Sequence, residues 1–378
     1  MIESPLLLTA VIAAATALAF LLDYKVVAFS KLGAALLAIL FGALLSNFGI
    51  VTAASPIYDT ISGSVTSLAI AWLLLAVDLA DIKKAGGRMV GAFLIAVVGT
   101  ALGAFVGALI FAGRFEAETW KLAGTLAGTY SGGGVNFVAV GRGLGLPDVL
   151  FAGATAADNA MTAIWLGANL VLPLWLVRFF PTPVPGAGKE SDAEVEHPFF
   201  SRSPLSTLDL ASLIAVGFVL LIAADWLGAL VPAVPSVLWL TTLALVVGHI
   251  GPFRQAPGAM QLGALALHFF FVIIGIYSRI DMILLVGVTV FFYTAVVVGV
   301  HGVVVYSMGR LLNMDIGTVS VASQAAVGGP SSAVAVAIAR GWNELVLPGI
   351  AVGLLGYAVG NYVGFGLGHL VRSLGIGL

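Results

Sequence analysis

Long apolar runs with short polar punctuation fill the chain from residue 5 to residue 371. A membrane span needs about 20 predominantly apolar residues to cross roughly 30 Å of hydrocarbon. On that measure there are twelve candidate helices. Six lie at 5–22, 32–53, 61–80, 89–112, 119–142 and 148–177, and six at 208–231, 236–250, 260–277, 282–308, 315–340 and 344–371. The longest polar stretch, 181–205, separates the two sets, and its PTPVPGAGKESDAEVEH core has the Pro, Gly and charge content of a flexible linker. The expected organisation is a transmembrane repeat at 1–178, a polar linker at 179–206 and a second transmembrane repeat at 207–378. Glu3, with no Lys or Arg, precedes the first helix, which lacks a signal peptide's basic start and is expected to stay as a helix with its N-terminus outside.

Composition narrows the class. Apolar residues make up 60% of the 378 and charged ones 9%, against roughly 45–50% and about 25% in soluble domains. A water-soluble fold cannot hide that much apolar surface. The net charge of −2 and the lack of any basic cluster exclude a nucleic-acid partner. With no Cys there are no disulfides, thiol nucleophiles or thiolate metal sites. The 47 glycines fit closely packed membrane helices. The expected fold class is an all-α polytopic membrane protein in the cell's inner (plasma) membrane.

The two halves resemble each other in order. Residues 66–85 and 263–282 are both apolar runs that end in an Asp/Lys/Arg cluster. Each is followed by a long apolar helix, then by a glycine-interrupted segment, TYSGGGVNFVAVGRG (129–143) and SQAAVGGPSSAVAVAIARG (323–341), and then by a long final helix. If the interrupted segments cross straight through, each half has six spans and the repeats are parallel. If they re-enter as hairpins, each half has five and the repeats are inverted. Of the 16 Lys and Arg, the straight reading puts 8 inside and 8 outside, and the re-entrant reading puts 11 inside and 5 outside. The positive-inside rule favours the re-entrant, inverted arrangement.

A backbone broken by Gly132, Gly133 and Gly134, or by Gly328, Gly329 and Pro330, leaves peptide groups without helical partners. In lipid each such group costs several kcal/mol, so breaks survive inside protein or along a watery cavity. Two matched breaks at the midplane are the sequence pointer to a transport site. The half-helix after each break offers N-terminal amides to an anion, and the carbonyls before it suit a cation. Ser131, Asn136, Gln324, Ser331 and Ser332 flank the breaks and can bind a carboxylate or amide without carrying charge. A plainer reading makes the glycines packing spacers and the polar residues helix caps.

Asp158 sits in ATAADNAMTAIW, about eleven residues into a helix that begins near Asp148, hence roughly 15 Å deep. Such a carboxylate costs at least ~2.5–3.5 kcal/mol unless it is paired or neutralised. Thr155 and Thr162 fall on the same helical face and Asn159 adds an amide. This set is the candidate coupling-ion site, and Na⁺ at Asp158 is the one metal considered. His268 and His301 can relay protons or simply pack. No HExxH motif and no second carboxylate at the depth of Asp158 appear, so an enzyme is not expected.

The strings TYSGGGVNFVAV, AADN, QAAVGGPSSAVAVAIARGW and LVLPGIAVGLLGYAVGNY resemble the YjcL-like family of uncharacterised bacterial membrane proteins, over essentially the whole chain. That family is grouped with the cation:proton antiporter and anion transporter superfamily, beside sodium:glutamate, sodium:2-hydroxycarboxylate and bile-acid symporters. The resemblance implies inverted repeats, core and scaffold domains, elevator-like movement and a homodimer. It places Gly132–Gly134 and Gly328–Pro330 at the two breaks and Asp158 where antiporter relatives hold a cation. Electrogenic antiporters of the group carry two adjacent carboxylates, where this chain has Asp158 and Asn159. The expected function is secondary active transport of a small, preferably anionic, organic solute coupled to Na⁺ or H⁺. The alternative is a cation/proton antiporter without organic substrate. The expected partners are the solute, the bilayer and a second copy of the chain, and no cofactor is expected beyond a bound Na⁺.

Overall fold

The computed structural model describes residues 1–26, 29, 33–77, 82–180, 182–184, 205–232, 234–253, 256–277 and 280–377. Within these, the side chains of residues 82–84, 252, 280–285, 331 and 338 are outside the description. So are most of the linker and Asp78, Asp81, Lys189 and Arg202. All regular structure among the described residues is helical, apart from isolated bridges pairing Ile2 with Val51 and Thr182 with Asp315.

The helices are α1 (Pro5–Lys25), α2 (Gly33–Asn47), α3 (Pro56–Leu75, with a π turn at Ile61–Val65), α4 (Ile82–Phe115), α5 (Thr119–Thr129), α6 (Gly134–Gly143) and α7 (Asp148–Leu176). The second half supplies α8 (Thr207–Leu230), α9 (Ser236–Val247), α10 (Ala259–Tyr277), α11 (Ile280–Leu311), α12 (Ile316–Ala339) and α13 (Val346–Ser373). Each of the twelve apolar segments read from the sequence is found, the fifth of each half being broken. Eight described helical segments are long and apolar enough to cross a membrane, and the shorter apolar helices α2 and α9 are the second element of each half. Register is kept too: Ile82 against Ile280, Thr119 against Ile316 and Asp148 against Val346 begin corresponding elements.

The chain forms two compact units, and each takes helices from both halves. One holds α1–α3, α7 up to Ala160, α8–α10 and α11 up to Phe291. The other holds α4–α6, α7 from Met161, α11 from Phe292, α12 and α13. In the first, α2 and α10 cross at glycines: Gly42 meets the backbone of Val272 and Ile276, and Gly275 meets that of Ile39 and Ala43. Such side-chain-free crossings let dispersion act between backbones where lipid gives no hydrophobic drive. The Trp72 indole N–H donates to Leu213 O at 2.7 Å and ties α3 to α8.

In the second unit, α4 and α11 close on Gly103 against Val297 and on Gly107 against the Tyr293 ring. Tyr293 Oη donates to Ala104 O at 2.8 Å. Buried at every residue but Lys121, α5 packs against α13 along a ladder of glycines. A Cβ on Gly124 would lie 2.7 Å from Gly364 O, one on Gly360 would lie 2.9 Å from Gly128 O, and one on Gly356 would lie 2.6 Å from Gly132 Cα. As residue numbers rise along α5 they fall along α13, so these helices are antiparallel.

Both broken segments are hairpins. Lys121 Nζ, at the start of α5, donates to Gly145 O just past α6, at 3.1 Å. Gly128 faces Val140 and Gly124 faces Leu144 between the two arms. In α12 the reversal at Gly329 brings Gly349 of α13 against both Val321 and Ala333, and places Gly317 beside Trp342. The first hairpin therefore runs along α13 from Gly368 to Gly356 and the second from Gly349 to Gly353, where Pro330 packs. They approach from opposite ends of α13 and meet near its middle.

Candidate functional site

The hairpin tips turn on glycines with almost the same backbone geometry. Gly133 has φ 99° and ψ −173°, and Gly329 has φ 76° and ψ −170°. Both lie at positive φ, where a Cβ would clash with the chain and only glycine is at ease. A Cβ on Gly133 would lie 3.5 Å from Gly329 Cα, and one on Gly329 would lie 3.4 Å from Gly132 O and 3.5 Å from Tyr357 Oη. The tips touch, and the space beside Gly134, the first residue of α6, is open.

Around them stand the polar residues read from the sequence. Ser131 and Asn136 are fully buried at the first tip. Asn136 Nδ2 donates to Gly356 O at 2.9 Å, while Asn136 Oδ1 and Ser131 Oγ are buried without a hydrogen-bond partner among the described residues. At the second tip Ser332 Oγ donates to Gly329 O at 3.0 Å and stands 3.3 Å from Gln324 O. Gln324 is fully buried, and its Nε2, likewise without a partner among the described residues, lies 3.0 Å from where a Cβ on Gly328 would be. Thr162 Cγ2 lies 2.9 Å from that same point. Ser331 follows Pro330, with its side chain outside the description.

Of the ion-site residues, Thr162 belongs to the unit of the tips, whereas Thr155, Asp158 and Asn159 belong to the other. Asp158 is half-buried. Thr155 Oγ1 donates back to Phe151 O at 2.8 Å, and Asn159 Nδ2 donates to Thr155 O at 3.0 Å, so both are engaged with their own helix. Within α7, Asp158 and Thr162 stand one turn apart.

A buried hydrogen-bond chain links the two hairpins from behind, and sequence reading missed most of it. Trp165 Nε1 donates to Ser323 Oγ at 3.0 Å, and Ser323 Oγ lies 2.8 Å from His301 Nε2. His301 Nδ1 lies 3.0 Å from Ala96 O and 2.9 Å from Thr100 Oγ1, and Thr100 in turn donates to Tyr130 O at 2.8 Å. Ala96 O can only accept, so Nδ1 carries a proton, and Nε2 shares a hydrogen bond with the Ser323 hydroxyl. Both ring nitrogens of His301 are thus engaged. His268, in the other unit, bonds Ala264 O through Nδ1 at 2.7 Å and packs on Phe20 and Phe271. A second chain joins Tyr306, Asn169 and Gln324. Of its members only Gln324 is read from the sequence.

A bundle of long apolar helices with buried polar hairpin tips defines a multi-span membrane protein that sits in a lipid bilayer. The chain belongs to the family described as "Protein of unknown function (DUF819)", which matches residues 10–374. It is 29% identical over 361 residues to "Uncharacterized membrane protein YjcL" of Bacillus subtilis (strain 168), an alignment that covers 91% of each chain.

Proposed function

We propose that the protein is a secondary active transporter that moves a small anionic organic solute with Na⁺ or H⁺, and that the solute binds at the two hairpin tips. The observation that carries this reading is the meeting of Gly133 and Gly329 beside Ser131 Oγ, Asn136 Oδ1 and Gln324 Nε2, three buried polar atoms without partners among the described residues. A buried polar group left unsatisfied costs about 1–3 kcal/mol, and a polar ligand or water removes that cost. Three such groups at one place in a membrane protein mark a path for polar cargo.

The topology fits. With α13 crossing the bilayer, hairpins that approach from its opposite ends enter from opposite leaflets. Each half then crosses five times, and the repeats are inverted. That each unit takes helices from both halves suits a core that moves against a scaffold, as in an elevator, within a homodimer in the inner membrane. Asp158 is the coupling-ion residue in this reading. It is the counterpart, in the repeat, of Gly356, so the two halves have specialised.

Uptake into proteoliposomes under a Na⁺ or proton gradient, with and without carboxylate solutes, tests the proposal. Asp158→Asn is expected to abolish ion-driven accumulation while insertion and folding persist. Undiminished accumulation by that variant removes Asp158 from the mechanism. Na⁺/H⁺ exchange that needs no solute would instead establish a pure antiporter.

A further inference from the structure

The orientation of the buried Gln324 amide at the second tip is set by two residues behind it. Tyr306 Oη lies 2.6 Å from the Asn169 side-chain oxygen and 3.1 Å from Ser320 Oγ. Ser320 spends its own proton on Ile316 O at 2.8 Å. A separation of 2.6 Å is short even for O–H···O and shorter than N–H···O bonds run, so Asn169 turns its oxygen, not its nitrogen, to the phenol. Its Nδ2 is then directed at Gln324 Oε1, 2.8 Å away. That contact uses the Gln324 oxygen and leaves Nε2 at the tip, beside Gly328 and Ser332. All three side chains are buried, Asn169 and Gln324 completely. A carboxamide otherwise free to present either atom is held in one sense.

We propose that Tyr306 and Asn169 are specificity-determining positioning residues: they hold Gln324 Nε2 as a fixed N–H donor, so the second tip takes a hydrogen-bond-accepting oxygen of the solute, from a carboxylate or a neutral carbonyl. This rests on the reading of the tips as the solute site. It makes a prediction that burial alone does not. Asn169→Asp leaves every tip residue in place, yet the introduced carboxyl group, measured at a pH where it is ionised, can only accept. Gln324 must then turn its nitrogen away from the tip and present Oε1, and donor becomes acceptor.

The test measures thermal stabilisation of the detergent-purified full chain by sodium acetate, lactate, succinate and glutamate, and by acetamide and succinamide. For whichever compound stabilises the wild type, Asn169→Asp is expected to weaken apparent affinity at least about tenfold, the worth of one hydrogen bond to a charged group. Tyr306→Phe, a gentler change, frees Asn169 to pair in either sense. It should cost about twofold, because half the population then presents the wrong atom. Stabilisation by the amides alone, lost in Asn169→Asp, assigns a neutral carbonyl, and by the carboxylates an anion. Both outcomes support the donor. Binding unchanged in both variants overturns it, as does no stabilisation by any compound. If a compound binds in the expected pattern yet proteoliposomes never accumulate it, the transporter reading falls and the donor assignment stands.

Discussion

Gly133 and Gly329 are the residues on which the site depends, and each is held by two constraints: positive φ and a neighbour at van der Waals distance. Gly329→Ala should lower stability by roughly 1–2 kcal/mol from backbone conformation alone, read as a fall in melting temperature in detergent. Gly133→Leu and Gly329→Leu should stop transport in proteoliposomes by filling the space between the tips, and normal uptake would make them mere spacers. His301→Phe keeps the ring but removes both its donor and its acceptor, leaving Ser323 and Thr100 buried and poorly paired. It should cost about 1–3 kcal/mol per orphaned group, whereas His301→Gln, which keeps one donor and one acceptor, should recover much of the loss in the same melting measurement. The glycines were legible in the sequence because Gly132–Gly134, and Gly328–Gly329 followed by Pro330, weaken a helix at the point where lipid most demands one, so each run marks a break. Ser323, Asn169 and Tyr306 were not. An amide or hydroxyl on a long apolar helix looks the same whatever it faces, and the partners here lie far apart in the chain, as Trp165 and Ser323 do.

At the level of elements, hydropathy marked the twelve segments because each must turn its apolar surface to protein or to lipid. The reversal of the broken segments is reached only indirectly, through charge counting, and appears in the structure as arms that return on themselves. The pairing of α5 with α13 was not legible, since evenly spaced glycines do not name their partner. Gly364 faces Gly124 O at 2.7 Å from a would-be Cβ, whereas Gly366, two residues on, is exposed with open space beside it. Gly364→Leu should therefore destabilise by about 1–3 kcal/mol or more through overpacking, and Gly366→Leu should be nearly silent. Equal melting temperatures for the two variants would mean that the helices are not in contact as described.

For the whole molecule, the hairpins' approach from opposite ends of α13 carries a topological expectation. Lys121 and Gly145 close the base of the first hairpin, and the guanidinium of Arg372 lies 4.8 Å from the Trp120 ring at the same end of α13. Arg340 stands 5.2 Å over Trp342 at the other. The charge count puts Lys121, Arg142 and Arg372 outside and Arg340 inside, in agreement with this grouping. With no native Cys, the chain itself contributes no background labelling. Pro147→Cys should react with a membrane-impermeant maleimide on intact cells, and Glu344→Cys only after permeabilisation. Labelling of both from one side would end the inverted-repeat reading. The division into two units was beyond the sequence, because it depends on which distant segments pack together and not on where the polar linker falls.

Because Gly124, Gly128 and Gly132 meet Gly364, Gly360 and Gly356 main chain to main chain, the first tip is held against α13 largely by backbone contact, with the Asn136 side chain set beside Gly132 and Gly360. In a carrier built this way, exchanging the few groups that project into the gap retunes what is accepted without re-spacing the frame, so a single backbone can serve cargoes of quite different chemistry.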